Sequence, residues 1–264
     1  MTPILFIITA LFGLIIGMLS GMFGVGGGVM MIPVLNLVFR LSALTSAATS
    51  LFVVAPTSLS GAYGHIRKGK VDVKAALFIG LAGACASTVT SWVSDRIPGI
   101  VIILLTACLI IYCAVTMIQG AMKPALDKEG HTSSCRFKTP ASLNLARVCL
   151  GLFAGSMAGI VGLGGGFIIV PFAVGFFGYN FKQATAVSLL SITIISVPGI
   201  VIHAILGHIW YLYGLALMVG SIPGANIGAR LVSRIPEKVT RIAFGILLVA
   251  SGIMLVVNQV LFVV

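Results

Sequence analysis

Shifting the sequence against itself by 138 positions brings two halves into register without a gap. Gly17, Gly21 and Gly24 fall on Gly155, Gly159 and Gly162, and Pro33 falls on Pro171. The run Gly26, Gly27, Gly28 falls on Gly164, Gly165, Gly166. Further along, Ser50 meets Ser188, Gly61 meets Gly199, His65 meets His203, and Arg96-Ile97-Pro98 meets Arg234-Ile235-Pro236. A glycine bias would not align a histidine and an Arg-Ile-Pro triplet at the same offset. The chain is a tandem duplication. Whatever it folds into must be built twice from one plan: a first repeat at 1–120, a polar linker at 121–140 and a second repeat at 141–264, within one domain spanning 1–264.

The solvent for that plan is lipid. Only 8% of the 264 residues are charged and 59% are hydrophobic, whereas a soluble domain carries about 25% charged residues. Apolar segments near 3–22, 29–39, 43–65, 75–94 and 98–119 recur near 147–160, 167–178, 183–203, 211–231 and 239–262. Many are close to the roughly 20 residues that a bilayer crossing needs. The opening MTPILFIITALFGLIIG has neither a basic n-region nor a clear cleavage site, and reads as a retained membrane segment. The net charge of +11 does not point to nucleic acid, because the basic residues sit between apolar runs.

Their placement predicts topology. If each glycine cluster lay within a single crossing, Lys and Arg would divide nine to seven between the two sides, which is no bias. If each cluster turns a hairpin that returns to its own side, the division is fourteen to two, with Arg40 and Arg96 alone opposite. The positive-inside rule selects the hairpin. Both termini are then outside and the two repeats are inverted. The expected fold is an all-α membrane protein with two inverted repeats, each a Gly-rich broken-helix hairpin plus three transmembrane helices. Such folds suit transporters.

The same clusters suggest what is transported. A helix that starts inside the membrane leaves its first N–H groups unpaired, and its dipole puts about half a positive charge there. Two such ends facing one point favour a small anion. The candidate binding residues are Gly24, Gly26, Gly27 and Gly28 with Gly162, Gly164, Gly165 and Gly166. Gly27 and Gly165, as symmetry partners, are expected to behave alike. Gly17 with Gly21 and Gly155 with Gly159, spaced four apart, read instead as helix-packing positions. Hydroxyls at Thr49, Ser50, Thr185 and Ser188, together with Asn226, are further candidates for substrate contact. The pseudo-symmetric His65 and His203 are weaker candidates for gating or proton exchange; His131 and His208 read as loop residues. The five acids lie in loops or at helix ends, leaving no mid-membrane carboxylate for a cation pump or for acid–base chemistry. No enzyme, cofactor or metal site is expected. Four of the five cysteines fall in or at the edge of apolar segments and read as small packing residues. The partners expected are the anion and the bilayer; a homo-oligomer is left open, as is an anion channel.

At GMLSGMFGVGGGVMMIPVL (17–35) and GSMAGIVGLGGGFIIVPFAV (155–174) the chain resembles the sulfite exporter TauE/SafE family of membrane permeases. The resemblance continues at AATSL (47–51), GAYGHIRKGKVD (61–72), HAILGHIWY (203–211) and GANIGARLVSRIP (224–236). It implies a bacterial-type plasma-membrane permease moving sulfite or an organosulfonate, often as an exporter. An uptake permease for another small sulfur-containing or organic anion is the alternative.

Overall fold

The computed structural model describes residues 3–67, 71–122 and 140–263, and among these the regular structure is helical throughout. The first half contains α1 (Pro3–Phe23), α2 (Gly28–Phe39), α3 (Ala43–Ile66), α4 (Val73–Val93) and α5 (Gly99–Met122). The second contains α6 (Pro140–Val161), α7 (Gly166–Phe176), α8 (Phe181–Ile205), α9 (Tyr211–Leu231) and α10 (Glu237–Val263). Short 3₁₀ turns at Ser94–Arg96 and Val232–Arg234 follow α4 and α9. The starts of α3 and α8, of α4 and α9, and of α5 and α10 are each 138 residues apart. Local punctuation repeats too: Ser42 caps α3 through the Thr45 N–H, and Asn180 caps α8 through the Gln183 N–H. Those side chains satisfy donors that a helix start leaves open.

Among the described residues, five helices are long and apolar enough to cross a membrane: α1, α4, α6, α8 and α9. Large apolar side chains cover the outside, among them Ile4, Leu81, Trp92, Val219 and Ile246. The chain is a multi-pass membrane protein. Three of the cysteines expected to pack inside do not: Cys85, Cys108 and Cys149 are exposed and Cys113 is buried. A lipid-facing helix surface accepts Cys as readily as a packed one, so apolar surroundings in sequence did not separate the two.

Backbone-to-backbone packing organises the interior. Gly13, Gly17 and Gly21 of α1 lie against Leu217, Ser221 and Ala225 of α9, so these helices run in the same direction. Gly151, Gly155 and Gly159 of α6 face Ile79, Gly83 and Ser87 of α4 in the same way. A Cβ on Gly17 would overlap the Ser221 carbonyl, and one on Gly155 the Gly83 carbonyl. These glycines exist for close approach. Alongside, α3 runs parallel to α9, with Phe52 at Gly214, Thr57 at Ser221 and Ala229 at Gly64. Likewise α8 runs parallel to α4, with Ile194 at Gly80 and Ser87 at Gly199. Two three-helix groups result, α1–α3–α9 and α4–α6–α8, each drawing helices from both halves. They meet where α3 and α8 cross in opposite senses, Gly61 against Leu189 and Gly199 against Leu51. Since α1 and α3 are parallel, α2 between them runs back against both.

The second half begins earlier than its apolar pattern suggests. Arg147, at the edge of that apolar pattern, lies inside α6 and is only 9% exposed. Its guanidinium donates to Asp72 Oδ2 at 2.9 Å and to the Tyr179 hydroxyl at 2.8 Å, and Tyr179 donates to Asp72 Oδ2 at 2.6 Å. A buried charge is tolerated when paired and hydrogen-bonded, which lets the helix continue through it. Burial pushes the Asp72 carboxyl up, but hydrogen bonds from Tyr179 and the Ala75 and Lys74 backbone, with the Arg147 charge, outweigh it and leave it below the ordinary carboxylate value. Burial, and then the bond to Asp72, push the Tyr179 phenol up to about 12.

Candidate functional site

The two glycine clusters come together at the crossing of α3 and α8. In the first, Gly24, Gly26 and Gly27 adopt φ of 77°, 79° and 88°; in the second, Gly162, Gly164 and Gly165 adopt 74°, 78° and 76°. A side chain would be strained at each, so three glycines per loop are a backbone requirement. The loops touch. A Cβ on Gly28 would stand 2.8 Å from Leu163, and one on Gly166 would stand 2.6 Å from the Gly24 carbonyl oxygen. Gly26 and Gly164 both face Val54 of α3 and Ile192 of α8, residues that are themselves 138 apart. The two loops thus share one pair of side chains from the crossing helices.

Both short helices begin here. Gly27 is the N-cap of α2 and Gly165 that of α7, each in the left-handed conformation and without a side-chain cap. Within the loops the Gly27 carbonyl accepts from the Met30 and Met31 N–H groups, and the Gly165 carbonyl from those of Ile168 and Ile169. Among the described residues, the N–H groups of Gly26 to Val29 and of Gly164 to Phe167 have no backbone acceptor. An orphaned N–H buried without water or a partner is costly, and the two touching loops carry eight such donors open to an acceptor. No Lys, Arg, Asp or Glu occurs in either loop or in the central turns of α3 and α8.

The candidate hydroxyls divide. Ser188 Oγ donates to the Gly24 carbonyl at 2.7 Å and so fastens the first loop to α8. Its symmetry partner Ser50 is fully buried, and its hydroxyl has no hydrogen-bond partner. Thr185 packs against Gly24, but its hydroxyl donates to its own helix at Phe181. The Thr49 hydroxyl accepts from the Trp210 N–H at 3.0 Å and steadies the start of α9. Asn226 is half-buried beside Gly64, towards the far end of α3. His65 is buried with Nε2 3.1 Å from the Gly21 carbonyl. His203 is also buried, its Nδ1 3.4 Å from Nδ1 of His208. His131 and the linker lie outside the described residues. Among the described residues no group of three potential metal ligands converges.

Two hydroxyls that the sequence pattern did not single out stand beside the first loop. Ser58 of α3 is fully buried, and its Oγ lies 3.0 Å from where a Cβ on Gly26 would stand. Ser20 of α1 is 2% exposed and lines a small cavity with Gly27, Ile16, Met30 and Leu247. Neither hydroxyl has a hydrogen-bond partner. The repeat gives a serine no special weight in a membrane helix, where it usually bonds its own backbone.

The chain is similar over most of its length to proteins named as probable membrane transporters. It is 28% identical to YunE of Bacillus subtilis over 88% of this chain and 90% of that one. It is 27% identical to YdhB of the same organism over 87% and 91%. A Methanocaldococcus jannaschii protein of the same description is 26% identical over 91% and 90%. No solved structure matches the chain. Residues 9–255 match the family described as sulfite exporter TauE/SafE, and the chain belongs to that family.

Proposed function

We propose that the protein is a permease that moves a small anion, with sulfite and organosulfonates the first candidates, across the bacterial plasma membrane by alternating access. The observation that carries this is the pair of interrupted helices that start in touching loops and whose first N–H groups have no backbone acceptor. About half a positive charge from each helix start offsets an anion that would otherwise cost tens of kcal/mol to bring into a low dielectric. The two helix groups support alternating access. Each is held together by close backbone contact, they meet mainly at the α3–α8 crossing, and the loops sit at that pivot. The antiparallel α3 and α8 and the return of α2 support inverted repeats with both termini outside.

Purified protein in liposomes should show saturable uptake of labelled sulfite or methanesulfonate, accelerated by the same anion trapped inside. Flux that never saturates would make it a channel. No flux of any anion in a panel adding sulfate, thiosulfate and larger organosulfonates would overturn the proposal. For topology, single cysteines near residues 68 and 237 should label from inside; labelling from opposite sides would remove the inverted arrangement.

A further inference from the structure

We infer that the occupant of the central site is a singly charged oxyanion, gripped mainly from the first loop through Ser20 and Ser58. This rests on the anion-permease reading and goes beyond it in charge, chemistry and asymmetry.

The charge follows from what compensates it. The loops and the central turns of α3 and α8 supply no cationic side chain, so the two helix starts provide about one positive charge between them. The self-energy of an ion in a poor dielectric rises with the square of its charge. A dianion would cost about four times as much to bury while gaining only about twice the attraction, so this site favours a monoanion.

The chemistry and the asymmetry follow from the hydroxyls. Ser58 and Ser196 are symmetry partners, and each stands near one loop. Ser196 donates to its own helix at the Ile192 carbonyl, 2.7 Å away, whereas the Ser58 hydroxyl beside Gly26 is unpartnered. Ser20 is likewise unpartnered beside Gly27, and its counterpart is Ala158. The walls differ in the same sense. The atoms nearest a Cβ on Gly27 would be the side-chain ends of Met31 and Ile16, at 3.2 and 3.4 Å, and Ser20 Cβ at 3.5 Å. One on Gly165 would stand 2.6 Å from the Ala154 carbonyl oxygen. A more yielding wall and two of the unpartnered hydroxyls thus coincide at the first loop, while the unpartnered Ser50, Ser87 and Ser91 lie on α3 and α4. Donors of this kind suit an acceptor with several oxygens, as in a sulfonate or hydrogen sulfite.

The test is equilibrium binding to the purified full-length protein, with methanesulfonate as the monoanion and sulfate as the dianion, alongside thermal unfolding. Methanesulfonate should bind at least about tenfold more tightly. Ser58→Ala and Ser20→Ala should each weaken it about tenfold, the scale of a hydrogen bond to a charged group, without lowering the unfolding midpoint. Ser58→Cys, nearly the same shape but a poor donor, should behave like Ser58→Ala. Ser196→Ala should stay within about twofold of the parent. Sulfate binding as tightly as methanesulfonate overturns the charge selection, and equal losses at Ser58 and Ser196 overturn the asymmetry. If no anion binds and none is transported, the anion-permease reading itself fails and this inference falls with it.

Discussion

The two glycine loops have nearly the same sequence and the same backbone angles, and yet they occupy different surroundings. Around Gly27 the neighbours are ends of flexible side chains and an unpartnered serine; around Gly165 the nearest neighbour is the backbone of α6. Duplication preserved the turn, which depends on a few local angles, and let the walls diverge, since those come from distant helices. Symmetry in such a chain therefore predicts conformation better than it predicts chemistry. The expectation that Gly27 and Gly165 would respond alike gives way to an expectation that they differ.

The largest effects should come where backbone touches backbone. Gly155→Ala and Gly17→Ala place a methyl on a neighbouring carbonyl, and overpacking of this kind costs about 3 kcal/mol or more when neither backbone can yield. Folded yield in detergent should collapse in both. Gly165→Ala should follow them, because it meets a carbonyl and a positive φ together. Gly27→Ala should differ: about 1–2 kcal/mol for the left-handed conformation, a folded protein, and lost anion binding. Size-exclusion profiles and methanesulfonate binding on all four variants check this. Equal yields for Gly27→Ala and Gly165→Ala would break the comparison.

The next contrast is between the two ends of the symmetric plan. Asp72, Arg147 and Tyr179 form a polar network in one place, and their symmetry partners are Trp210, Thr9 and Leu41. Arg147→Ala should lower stability by about 2 kcal/mol, less than a fully buried pair loses because the Asp72 side chain is 36% exposed. Thr9→Ala should change little, its hydroxyl being bonded only to its own helix at Leu5. The pH dependence has two limbs. Asp72 has a lowered pKa, so its contribution is present above its unfolded value of about 4 and is lost as pH falls through the folded value. Tyr179, raised to about 12, contributes below about pH 10, and that contribution is lost as pH rises from there. Unfolding midpoints should drop less on the acid side in Asp72→Asn and less on the alkaline side in Tyr179→Phe. An unchanged acid limb in Asp72→Asn would show that the network carries no pH-dependent stability.

What the sequence disclosed was mainly local. Helix number and the break at each glycine cluster were legible because they depend on neighbours in the chain. Close packing at Gly17 and Gly155 was legible as well, since glycines four apart on a helix leave a groove. Their partners were not. A groove states that something approaches, and only the fold says that α1 meets α9 and α6 meets α4. The burial of Arg147 was hidden for the same reason, as Asp72 lies 75 residues away and Tyr179 lies 32 away. Ser20 and Ser58 escaped notice because a serine's role rests on whether its own helix satisfies it. Ser58 and Ser196 look identical in sequence and differ in that one respect.

The smallest predicted effect sits at the end of the returning helices. Arg40 follows α2 with φ of 52°, the single positive value at a non-glycine among the described residues, and its counterpart after α7 is Gly178 at 68°. The structural demand is the same at both places: after each short helix the chain reverses, with the Leu41 N–H bonded to the Leu35 carbonyl and the Tyr179 N–H to that of Ala173. Glycine meets that demand without steric cost, whereas a side chain costs about 1–2 kcal/mol. Glycine also loses more freedom on folding, which returns part of the gain. Arg40→Gly should therefore raise stability by about 0.5–1 kcal/mol, and Gly178→Ala should lower it by about 1 kcal/mol. Both residues follow the ends of α2 and α7 opposite to the central loops, so methanesulfonate affinity should be unchanged in either variant. Thermal unfolding in one detergent, with binding measured in parallel, decides the matter. A lower midpoint in Arg40→Gly would mean that the arginine makes a contact worth more than the strain it imposes, and that the two reversals are less alike than their backbones suggest.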